Sequence, residues 1–382
     1  MIHVVLGTKA QLIKLAPVLR CLREHEMPYR LIHTGQHRDT MQEMLDEFEL
    51  PGPDLVLHRG SDIVSVPQMA LWFGKILARC LFAPRSIFAS ASADEGTGHA
   101  EKDLVVIHGD TLSALLGAVM GRVARLEVAH IEAGLSSFNL WNPFPEELTR
   151  RLCFRLSHVL YCPGSWAAGN VARLGRVVVD TEANTLCDTL ALALQREQRR
   201  DHVPLVPYAI ASLHRFENIF RRRRLEELLE ILEELAEHYR VLFILHPPTD
   251  RQLRQLGLMQ RLEANRNIEL RPRYTYFDFV ALLQQAEFVA TDGGSVQEES
   301  NYLGVPCLIL REGTERREGI GANALLSRLD RDLIRDFASD PARFRRPPLA
   351  GRLRPSECIV DSLTERQRLG TRAGGRTASG TQ

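Results

Sequence analysis

Three carboxylates in the first half of the chain stand where apolar runs end, a placement that suits acid/base chemistry. Asp110 lies in HGDT after the run LVVI, Glu132 follows VAHI directly, and Glu146 stands at the expected start of a helix. Each has an ordinary alternative, because Asp110 could cap the next helix and Glu146 could only complement a helix dipole. A glutamate that emerges from a buried run is costly without a role. Three acids at the ends of consecutive elements therefore predict one shared acid/base site.

The segment GTKAQLIK, residues 7–14, has the pattern of a strand-to-helix turn that binds phosphate. Backbone N–H groups at a helix start attract anions, and Lys9 and Lys14 add two point charges. Many strand-to-helix turns share this pattern without binding a ligand. Here only four of the 48 basic residues are lysine, and two of those four lie in this turn. That bias favours a phosphate-binding role for both lysines.

The second half of the chain contains a glycine-rich segment of the kind that binds nucleotides. The segment TDGGSVQEE lies between a predicted strand and a predicted helix, and it contains Gly293, Gly294, Ser295 and Glu299. Small residues there allow backbone N–H groups to reach a diphosphate, and an acid one turn later can bind a ribose diol. The glycines alone could be ordinary turn residues, but the acid at this offset favours nucleotide binding. His214, in HRFEN, follows another strand of the same half.

These residues can form a site only if strands and helices bring the strand ends together. The hydrophobic pattern predicts such strands and helices. Short β-branched runs alternate with helical spacing from Ile2 to Cys162 and again from Tyr208 to Leu310. This alternation predicts an α/β fold with two Rossmann-like, doubly wound domains, each with a parallel sheet covered on both faces. We expect the domains, residues 1–182 and 183–345, to face each other across a cleft that binds a small molecule. Residues 82–102 show no period and are expected to form a surface loop.

Composition excludes several classes of partner. The 48 basic and 48 acidic side chains cancel, so no global field would attract nucleic acid. No apolar run approaches the roughly 20 residues needed to cross a bilayer, and the first residues lack a secretory signal, so we expect a cytoplasmic protein without membrane insertion. The seven cysteines are scattered without zinc spacing, which predicts reduced core residues and no metal site.

Two arginine-rich segments need a local explanation. Residues 221–224 (RRRR) open a predicted helix with a leucine face and many glutamates, so we interpret them as a solvated helix end. The last forty residues hold nine arginines and three acids, a charge of +6, so residues 1–342 sum to −6. Any phosphate must therefore be bound by locally placed cations. Residues 369–382 cannot form a core, and we expect a disordered tail there.

Nine motifs occur together in the order and spacing of one enzyme family. They are GTKAQLIKLAP, GQHR, HGDT, HIEAGL, PEE, ANTLCD, HRFEN, TDGGSVQEE and REGTERRE. From residue 2 to about 320 the chain resembles the non-hydrolysing UDP-N-acetylglucosamine 2-epimerases. The resemblance implies a glycosyltransferase-B-like arrangement of the two domains, with a C-terminal helix around residues 356–368 that packs on the first. It also implies a cytoplasmic homodimer that makes UDP-N-acetylmannosamine for surface polysaccharides.

The resemblance also implies a mechanism without a metal or cofactor. Carbon 2 of the sugar is not beside a carbonyl, so the route is elimination of UDP to 2-acetamidoglucal and its re-addition with inversion at carbon 2. This requires acid/base groups and a clamp for the leaving diphosphate. By resemblance, the acid/base set is Asp110, Glu132 and Glu146, with His214 near the glycosidic or phosphate oxygens. The implied substrate-binding residues are Lys9, Lys14, Phe279, Gly293, Gly294, Ser295, Glu299 and Arg316, although Phe279 could equally be helix core.

Several positions depart from the family's usual pattern. The usual GTRPE is Gly7 to Gln11 (GTKAQ) here, so a bidentate arginine fork becomes a lysine point charge. Ser136 replaces the arginine that usually follows AGL, GGS replaces SGG at residues 293–295, and ILHPPT replaces PVHxNP at residues 244–249. The two arginine losses leave a variant sugar nucleotide open as the substrate.

The family's bacterial members also bind a second UDP-N-acetylglucosamine as an activator. The residues implied for that site are Gln36, His37, Arg38 and His246. Asp39 stands where the pattern has a second glutamine, and a carboxylate there would repel an anionic ligand. We therefore expect weak or absent activation and a hyperbolic rate curve in UDP-N-acetylglucosamine.

Three other functions compete with this one. A hydrolysing epimerase would release free N-acetylmannosamine, although the HIEAGL and QEE motifs favour the non-hydrolysing type. A glycosyltransferase of the same two-domain build would need an acceptor groove. A nucleotide-sugar sensor without catalysis would fit the replaced arginines.

Overall fold

The computed structural model describes residues 1–36, 41–60, 66–88, 103–139, 145–196, 203–314 and 316–374. The chain forms two compact units, one of Met1–Thr189 with Leu353–Gln382 and one of Leu190–Arg352. From the sequence we expect the boundary between the domains after residue 182 and the end of the second domain at residue 345. The start of the helix over Leu186–Gln195 stays with the first unit, because the Thr189 hydroxyl donates to the Ile13 carbonyl at 2.7 Å.

The first unit alternates strands and helices. Its strands are β1 (Ile2–Leu6), β2 (Tyr29–His33), β3 (Leu55–Val56), β4 (Leu104–His108), β5 (Glu127–Ile131), β6 (Val159–Cys162) and β7 (Val177–Asp180). Its helices are α1 (Lys9–Glu24), α2 (Met41–Glu47), α3 (Val66–Phe82), α4 (Arg85–Phe88), α5 (Leu112–Val123), α6 (Glu146–Leu156), α7 (Ser165–Val171) and α8 (Leu186–Gln195), and a 3₁₀ turn spans Ala172–Leu174. Within the described residues, these strands form a seven-stranded sheet in the order β3-β2-β1-β4-β5-β6-β7, parallel throughout.

The second unit repeats the arrangement. Its strands are β8 (Tyr208–Ser212), β9 (Arg240–Ile244), β10 (Ile268–Arg271), β11 (Phe288–Thr291), β12 (Cys307–Ile309) and β13 (Ala324–Leu326). Its helices are α9 (Phe216–Ile219), α10 (Arg222–Ala236), α11 (Pro247–Gln255), α12 (Met259–Glu263), α13 (Tyr276–Gln285), α14 (Gly294–Leu303) and α15 (Arg331–Ser339), followed by a 3₁₀ turn over Pro341–Phe344. The described strands form a six-stranded parallel sheet in the order β10-β9-β8-β11-β12-β13.

The predicted α/β class with two doubly wound parallel sheets is confirmed. Both strand orders follow the Rossmann pattern, in which the third, second and first strands are followed by the fourth and later ones. β1, β4 and β8 are buried at every position, as parallel strands covered on both faces must be. The helix α16 (Pro355–Gly374) returns to the first unit and packs on α1.

The helix α10 shows why the RRRR segment lies on the surface. Its buried face contains the predicted leucines, which join the core of the second unit. Arg221 is the N-cap, and Arg222 pairs with Glu226 at 2.8 Å, so the arginines lie beside acids of the same helix. Such exposed pairs contribute little stability, and the interpretation as a solvated helix end is confirmed.

Three expected boundaries are wrong in detail. The loop expected over 82–102 begins later, because Ile87 and Phe88 of α4 are buried in the core; residues 89–102 lie outside the described residues. The tail expected to be disordered from 369 is helical through Gly374, because it continues the helix α16 that begins at Pro355, and residues 375–382 lie outside the described residues. α14 begins at Gly294, inside the segment TDGGSVQEE that was expected between the strand and the helix, with Gly293 as its N-cap.

The cysteines behave as expected for reduced core residues. All seven are free thiols, and only Cys358 is not fully buried. Among the described helices, none is long and apolar enough to cross a membrane.

Candidate functional site

Each sheet has a point where the strand order reverses, and the predicted site residues follow the strands on either side of it. In the first sheet this point lies between β1 and β4, and in the second between β8 and β11. Loops that leave the carboxyl ends of such strands diverge and open a crevice where ligands bind. Thr8 and Asp110 lie at the first point, and His214 and Gly293 lie at the second. Each unit therefore has its own candidate site at the strand-order reversal of its sheet.

In the first unit, the loop after β1 is held by an amide side chain. Thr8 caps α1 and accepts from the Gln11 backbone, while Gln11 Oε1 accepts from the Gly7 N–H at 2.9 Å. Gln11 Nε2 donates to the His108 carbonyl at 2.8 Å, which ties the loop to the end of β4. A glutamate, as in the family's usual GTRPE, has no N–H for that last bond. Sequence reasoning noted Gln11 only as a departure and missed this role.

Glu132 lies at the centre of the first site. Lys14 Nζ lies 2.8 Å from Glu132 Oε2, and the side chains are only 11% and 10% exposed. His108 Nε2 lies 3.2 Å from the same oxygen. Glu132 has φ +64°, a left-handed conformation that costs energy for a residue with a side chain and is concentrated at functional sites. The carboxylate that seemed costly after a buried run therefore has two partners.

Asp110 is not a helix cap. Thr111 caps α5 instead, since its hydroxyl accepts from the Ala114 N–H at 3.1 Å. Asp110 Oδ2 accepts from Arg150, which sequence reasoning did not select. The guanidinium of Arg150 also donates to Glu147 Oε2 at 2.7 Å. Thus an arginine on α6 joins the loop after β4 to a buried carboxylate.

Two further residues of the first unit, His130 and Glu146, differ in whether their buried polar atoms have hydrogen-bond partners. His130 is fully buried and donates from Nε2 to the Gly109 carbonyl at 2.8 Å; burial lowers its pKa to about 4, so it is neutral at pH 7. Glu146 opens α6, and its Oε2 is buried without a hydrogen-bond partner among the described residues. An oxygen in that state suits contact with a ligand rather than with a helix dipole alone. Lys9 opens α1 on the same edge of the sheet.

In the second unit, Asp292 organises the segment that contains His214. Its carboxylate accepts from the His214 N–H at 2.9 Å, the Arg215 N–H at 3.0 Å and Asn218 Nδ2 at 2.9 Å. Asp292 is 1% exposed, so these donors replace the water it loses. Its partners lie more than seventy positions earlier in the chain, and sequence reasoning did not select Asp292.

His214 and His246 form a stacked pair. Their ring centroids lie 4.6 Å apart at an interplanar angle of 29°, and Ser212 lies 3.2 Å from His246 Nε2. Burial lowers the pKa of His214, although the charge of Asp292 opposes that shift. Burial and the neighbouring His214 lower the pKa of His246 to about 4. A residue selected for catalysis and one selected for allostery are therefore in direct contact.

The start of α14 is built from glycines because other groups approach it closely. A Cβ on Gly293 would lie 2.5 Å from His214 Cε1, and one on Gly294 would lie 2.9 Å from Arg316 Nε. Arg215 also reaches Gly294, at 3.5 Å from the same position. The first N–H groups of a helix lack partners within it and favour anions. Arginines and helix start together suit a diphosphate, and Arg215 joins the predicted set.

Side chains of α14 secure the loop that carries Arg316. Gln297 Nε2 donates to the Glu318 carbonyl at 2.8 Å, and Arg316 Nη1 donates to buried Glu298 at 2.8 Å. Ser295 is exposed at the helix start, while Glu299 is buried in the following turn. Phe279 is only half-buried on α13, next to fully buried Val280, so it is not simple core.

The candidate allosteric residues are only partly described. Gln36 Oε1 accepts from Ser113 Oγ at 2.6 Å at the end of β2, whereas His37 and Arg38 lie outside the described residues. A separate cavity of about 460 Å³ lies at the opposite, amino-terminal edge of the first sheet and includes Glu127 and Arg366. These two residues pair with each other, and the cavity contains no predicted site residue.

Comparisons with known proteins find similar sequences and a similar structure. A family model described as UDP-N-acetylglucosamine 2-epimerase matches residues 20–340. A UDP-N-acetylglucosamine 2-epimerase of Methanocaldococcus jannaschii is 32% identical over 352 residues, which cover 87% of this chain and 90% of that protein. The crystal structure of the M. jannaschii enzyme in complex with UDP-N-acetylglucosamine and UDP gives a TM-score of 0.75 at 30% identity, covering 95% of this chain and 99% of that chain.

A second relative has a different named substrate. A UDP-2,3-diacetamido-2,3-dideoxy-D-glucuronate 2-epimerase of Pseudomonas aeruginosa is 29% identical and covers 87% of this chain and 90% of that protein. Relatives of similar identity thus differ in the sugar named, while both are 2-epimerases of UDP-sugars.

Proposed function

Since the chain belongs to the UDP-N-acetylglucosamine 2-epimerase family, we propose that it interconverts UDP-N-acetylglucosamine and UDP-N-acetylmannosamine without net hydrolysis. The observation that carries this proposal is the pair of ion-paired carboxylates, Glu132 with Lys14 and Asp110 with Arg150, beside the strand-order reversal of the first sheet. We further propose that the enzyme works as a cytoplasmic homodimer and supplies surface-polysaccharide precursors.

The reaction proceeds by elimination and addition. A base takes the proton from carbon 2 while the bond between carbon 1 and the phosphate oxygen breaks, which leaves UDP and 2-acetamidoglucal. UDP then adds back to carbon 1, and an acid delivers a proton to the other face of carbon 2. Atoms and charge balance without a redox partner. The protein supplies positioned acid/base groups and stabilises the departing diphosphate.

In this proposal, the first unit handles the protons. Glu132, Asp110 and Glu146 are the acid/base residues, and the buried Glu146 Oε2 without a described partner supports a group left available to the sugar. Lys14 and Lys9 contact the sugar or the diphosphate. Lys14 Nζ, 2.8 Å from Glu132 Oε2, orients that carboxylate.

The second unit binds UDP. The helix start at Gly293, Gly294 and Ser295 binds the diphosphate together with Arg316. Phe279 lies against the uridine, Glu299 binds the ribose, and His214 contacts the glycosidic or phosphate oxygens. Backbone donors of this kind retain UDP through the reaction, which supports re-addition over release by water.

We propose more specifically that the sugar of the substrate carries no charge. A glucuronate substrate, as named for the P. aeruginosa relative, carries an additional carboxylate on the sugar. This chain has lysine at position 9 and serine at position 136, where the family's pattern has arginines. Because the pattern of the enzymes named for the neutral sugar contains both arginines, these replacements do not select between the two sugars, and the proposal of a neutral sugar rests on the relatives named for it.

Incubation with UDP-N-acetylglucosamine in deuterated water tests the proposal. We expect deuterium at carbon 2 of both epimers and an equilibrium with UDP-N-acetylmannosamine, followed by proton NMR. Free N-acetylmannosamine with stoichiometric UDP would instead identify a hydrolysing enzyme. Full retention of the carbon 2 proton would reject the mechanism, and exchange of the diacetamido-glucuronate substrate alone would reject the proposed sugar.

A further inference from the structure

Among the described residues of the first unit, Glu147 is the most completely enclosed acid, although its neighbour Glu146 is the one selected by resemblance. Glu147 is 0% exposed. Its Oε1 accepts from Ser136 Oγ at 2.5 Å and Arg151 Nε at 2.9 Å. Its Oε2 accepts from the Ser137 N–H at 3.1 Å and Arg150 Nη1 at 2.7 Å. Both oxygens are therefore occupied by protein donors, which leaves no position for a substrate.

Such a carboxylate must stay ionised to be stable where it is. Burial would raise the pKa of Glu147, but the hydrogen bonds from Ser136, Ser137 and Arg151 and the charge of Arg150 hold it below its ordinary value. A buried carboxylate is stable only with such donors, and removing one exposes the full desolvation cost. Glu147 is thus a fixed anion on α6.

The fixed anion determines where Arg150 can point. One nitrogen of its planar guanidinium donates to Glu147, and the other donates to Asp110. Because the fork is rigid, holding one nitrogen also sets the direction of the other. Arg150 is 14% exposed at the side chain, so little water competes for these bonds.

Ser136 supplies the part of this arrangement that is particular to the chain. It stands where the family's pattern has an arginine, and its hydroxyl donates to Glu147 while accepting from the Phe138 N–H at 3.0 Å. We propose that Ser136 and Glu147 are positioning residues that hold Arg150 on Asp110 for the proton transfers at carbon 2. This inference rests on the proposed function. Ser136 thus has a role in the first unit that does not require contact with the substrate.

The first test compares two serines whose hydroxyls donate to acceptors of α6, the partly buried Ser136 and the fully buried Ser157. Ser136→Ala removes the hydroxyl that reaches Glu147, whereas Ser157→Ala removes one that donates to the Cys153 carbonyl at the far end of α6. We expect Ser136→Ala to lower kcat roughly tenfold while KM changes less than about twofold, because a bond to a charged group is lost. Ser157→Ala should keep the wild-type kcat. Equal kcat in the two variants would overturn the proposal.

Rescue separates positioning from a general effect on folding. Ser136→Thr retains a hydroxyl and should restore most of kcat; failure to do so while the variant unfolds at the wild-type temperature would contradict the proposal. Glu147→Gln should lower kcat more, roughly 100-fold. If Glu147→Gln does not fold, the Ser136 variants decide the question.

A double variant tests whether the effect passes through Arg150. Arg150→Lys keeps a charge but loses the fork, so it cannot hold both carboxylates in the same geometry. In that background, Ser136→Ala should change kcat less than about twofold, because the coupled contact is already lost. A full additional tenfold loss would show that Ser136 acts elsewhere.

Absence of carbon 2 exchange in the wild type would refute the proposed function. Wild-type exchange together with an unaffected kcat in Ser136→Ala would refute only the inference about Ser136 and Glu147.

Discussion

The two units share one strand order, yet they hold their candidate site residues by different means. In the first unit, charged side chains hold one another, as Lys14 holds Glu132 at 2.8 Å. In the second unit, backbone groups take a larger part, as when the His214 N–H donates to Asp292 at 2.9 Å, although Arg316 also pairs with Glu298. The topology places both sets at carboxyl ends of strands. It does not determine which chemistry each end carries.

This difference between the two units fits two functions, proton transfer in the first unit and diphosphate binding in the second. A proton-transfer site needs carboxylates whose charge state is set by nearby cations, and an arginine or lysine can do that directly. A site for a diphosphate needs many donors around a dianion, which the glycine start of α14 and Arg316 provide. The chain as far as residue 342 carries a net charge of −6, so only such local placement can attract the ligand. Catalysis and binding should therefore be separable by mutation.

The largest expected effect is a loss of catalysis without a loss of binding. Glu132→Gln removes the charge that Lys14 holds, and we expect kcat and carbon 2 exchange to fall by about 10²–10⁴-fold. UDP affinity, measured by calorimetry, should stay near the wild-type value because most of the proposed UDP-binding groups, those at the start of α14 together with Arg316, belong to the second unit.

Glu127→Gln is a matched control on the same strand. Glu127 opens β5 at the opposite end and pairs with Arg366, so its loss should leave kcat unchanged. Full activity in Glu132→Gln would remove Glu132 from the mechanism, and a parallel loss of UDP binding would contradict the separation of the two units' tasks.

The second prediction concerns a loss of UDP binding that originates in the second unit. Gly293→Ala places a Cβ 2.5 Å from His214 Cε1, and that ring is stacked on His246 and cannot retreat freely. We expect UDP to bind about tenfold more weakly, a loss of about 1.4 kcal/mol. Gly313→Ala, whose Cβ would meet no atom within 4 Å, should bind UDP normally. Unchanged UDP affinity in Gly293→Ala would show that the start of α14 is not the diphosphate site.

The parts of the fold that the sequence predicts are those with strong local signals. β1 and β8 begin where the apolar pattern predicts, at Ile2 and Tyr208, because most of their residues are apolar. β7 was missed because it lies at a sheet edge with partly exposed residues, and β13 because it has only three residues. Edge and very short strands carry little periodicity for a sequence to show.

The site shows the same division between local and distant signals. Asp110 and Glu132 were found because strand ends are visible in the sequence. Arg150 and Asp292 were not, because their partners lie 40 and 78 positions away and only the folded chain joins them. A usable signal existed for Glu147, since Arg150 and Arg151 follow it at helical pair spacing. The roles of all these residues remain predictions until the variants are measured.

The smallest expected effect concerns pH and the stacked histidines. The pKa of His246 is lowered to about 4 and that of His214 is also lowered, in both cases chiefly by burial. A lowered pKa means that protonation begins at lower pH than for an ordinary histidine, so between pH 8 and 6 His246 should stay uncharged and His214 should gain less charge than an ordinary histidine. The diphosphate of UDP-N-acetylglucosamine is a diester and keeps its charge over this range. Its affinity for the Glu132→Gln variant, measured by calorimetry, should therefore change less than about twofold. Tightening by tenfold towards pH 6 would mean that a histidine takes up a proton when the ligand binds. The second unit would then use a charged side chain as the first unit does, and the contrast between them would fail at that residue.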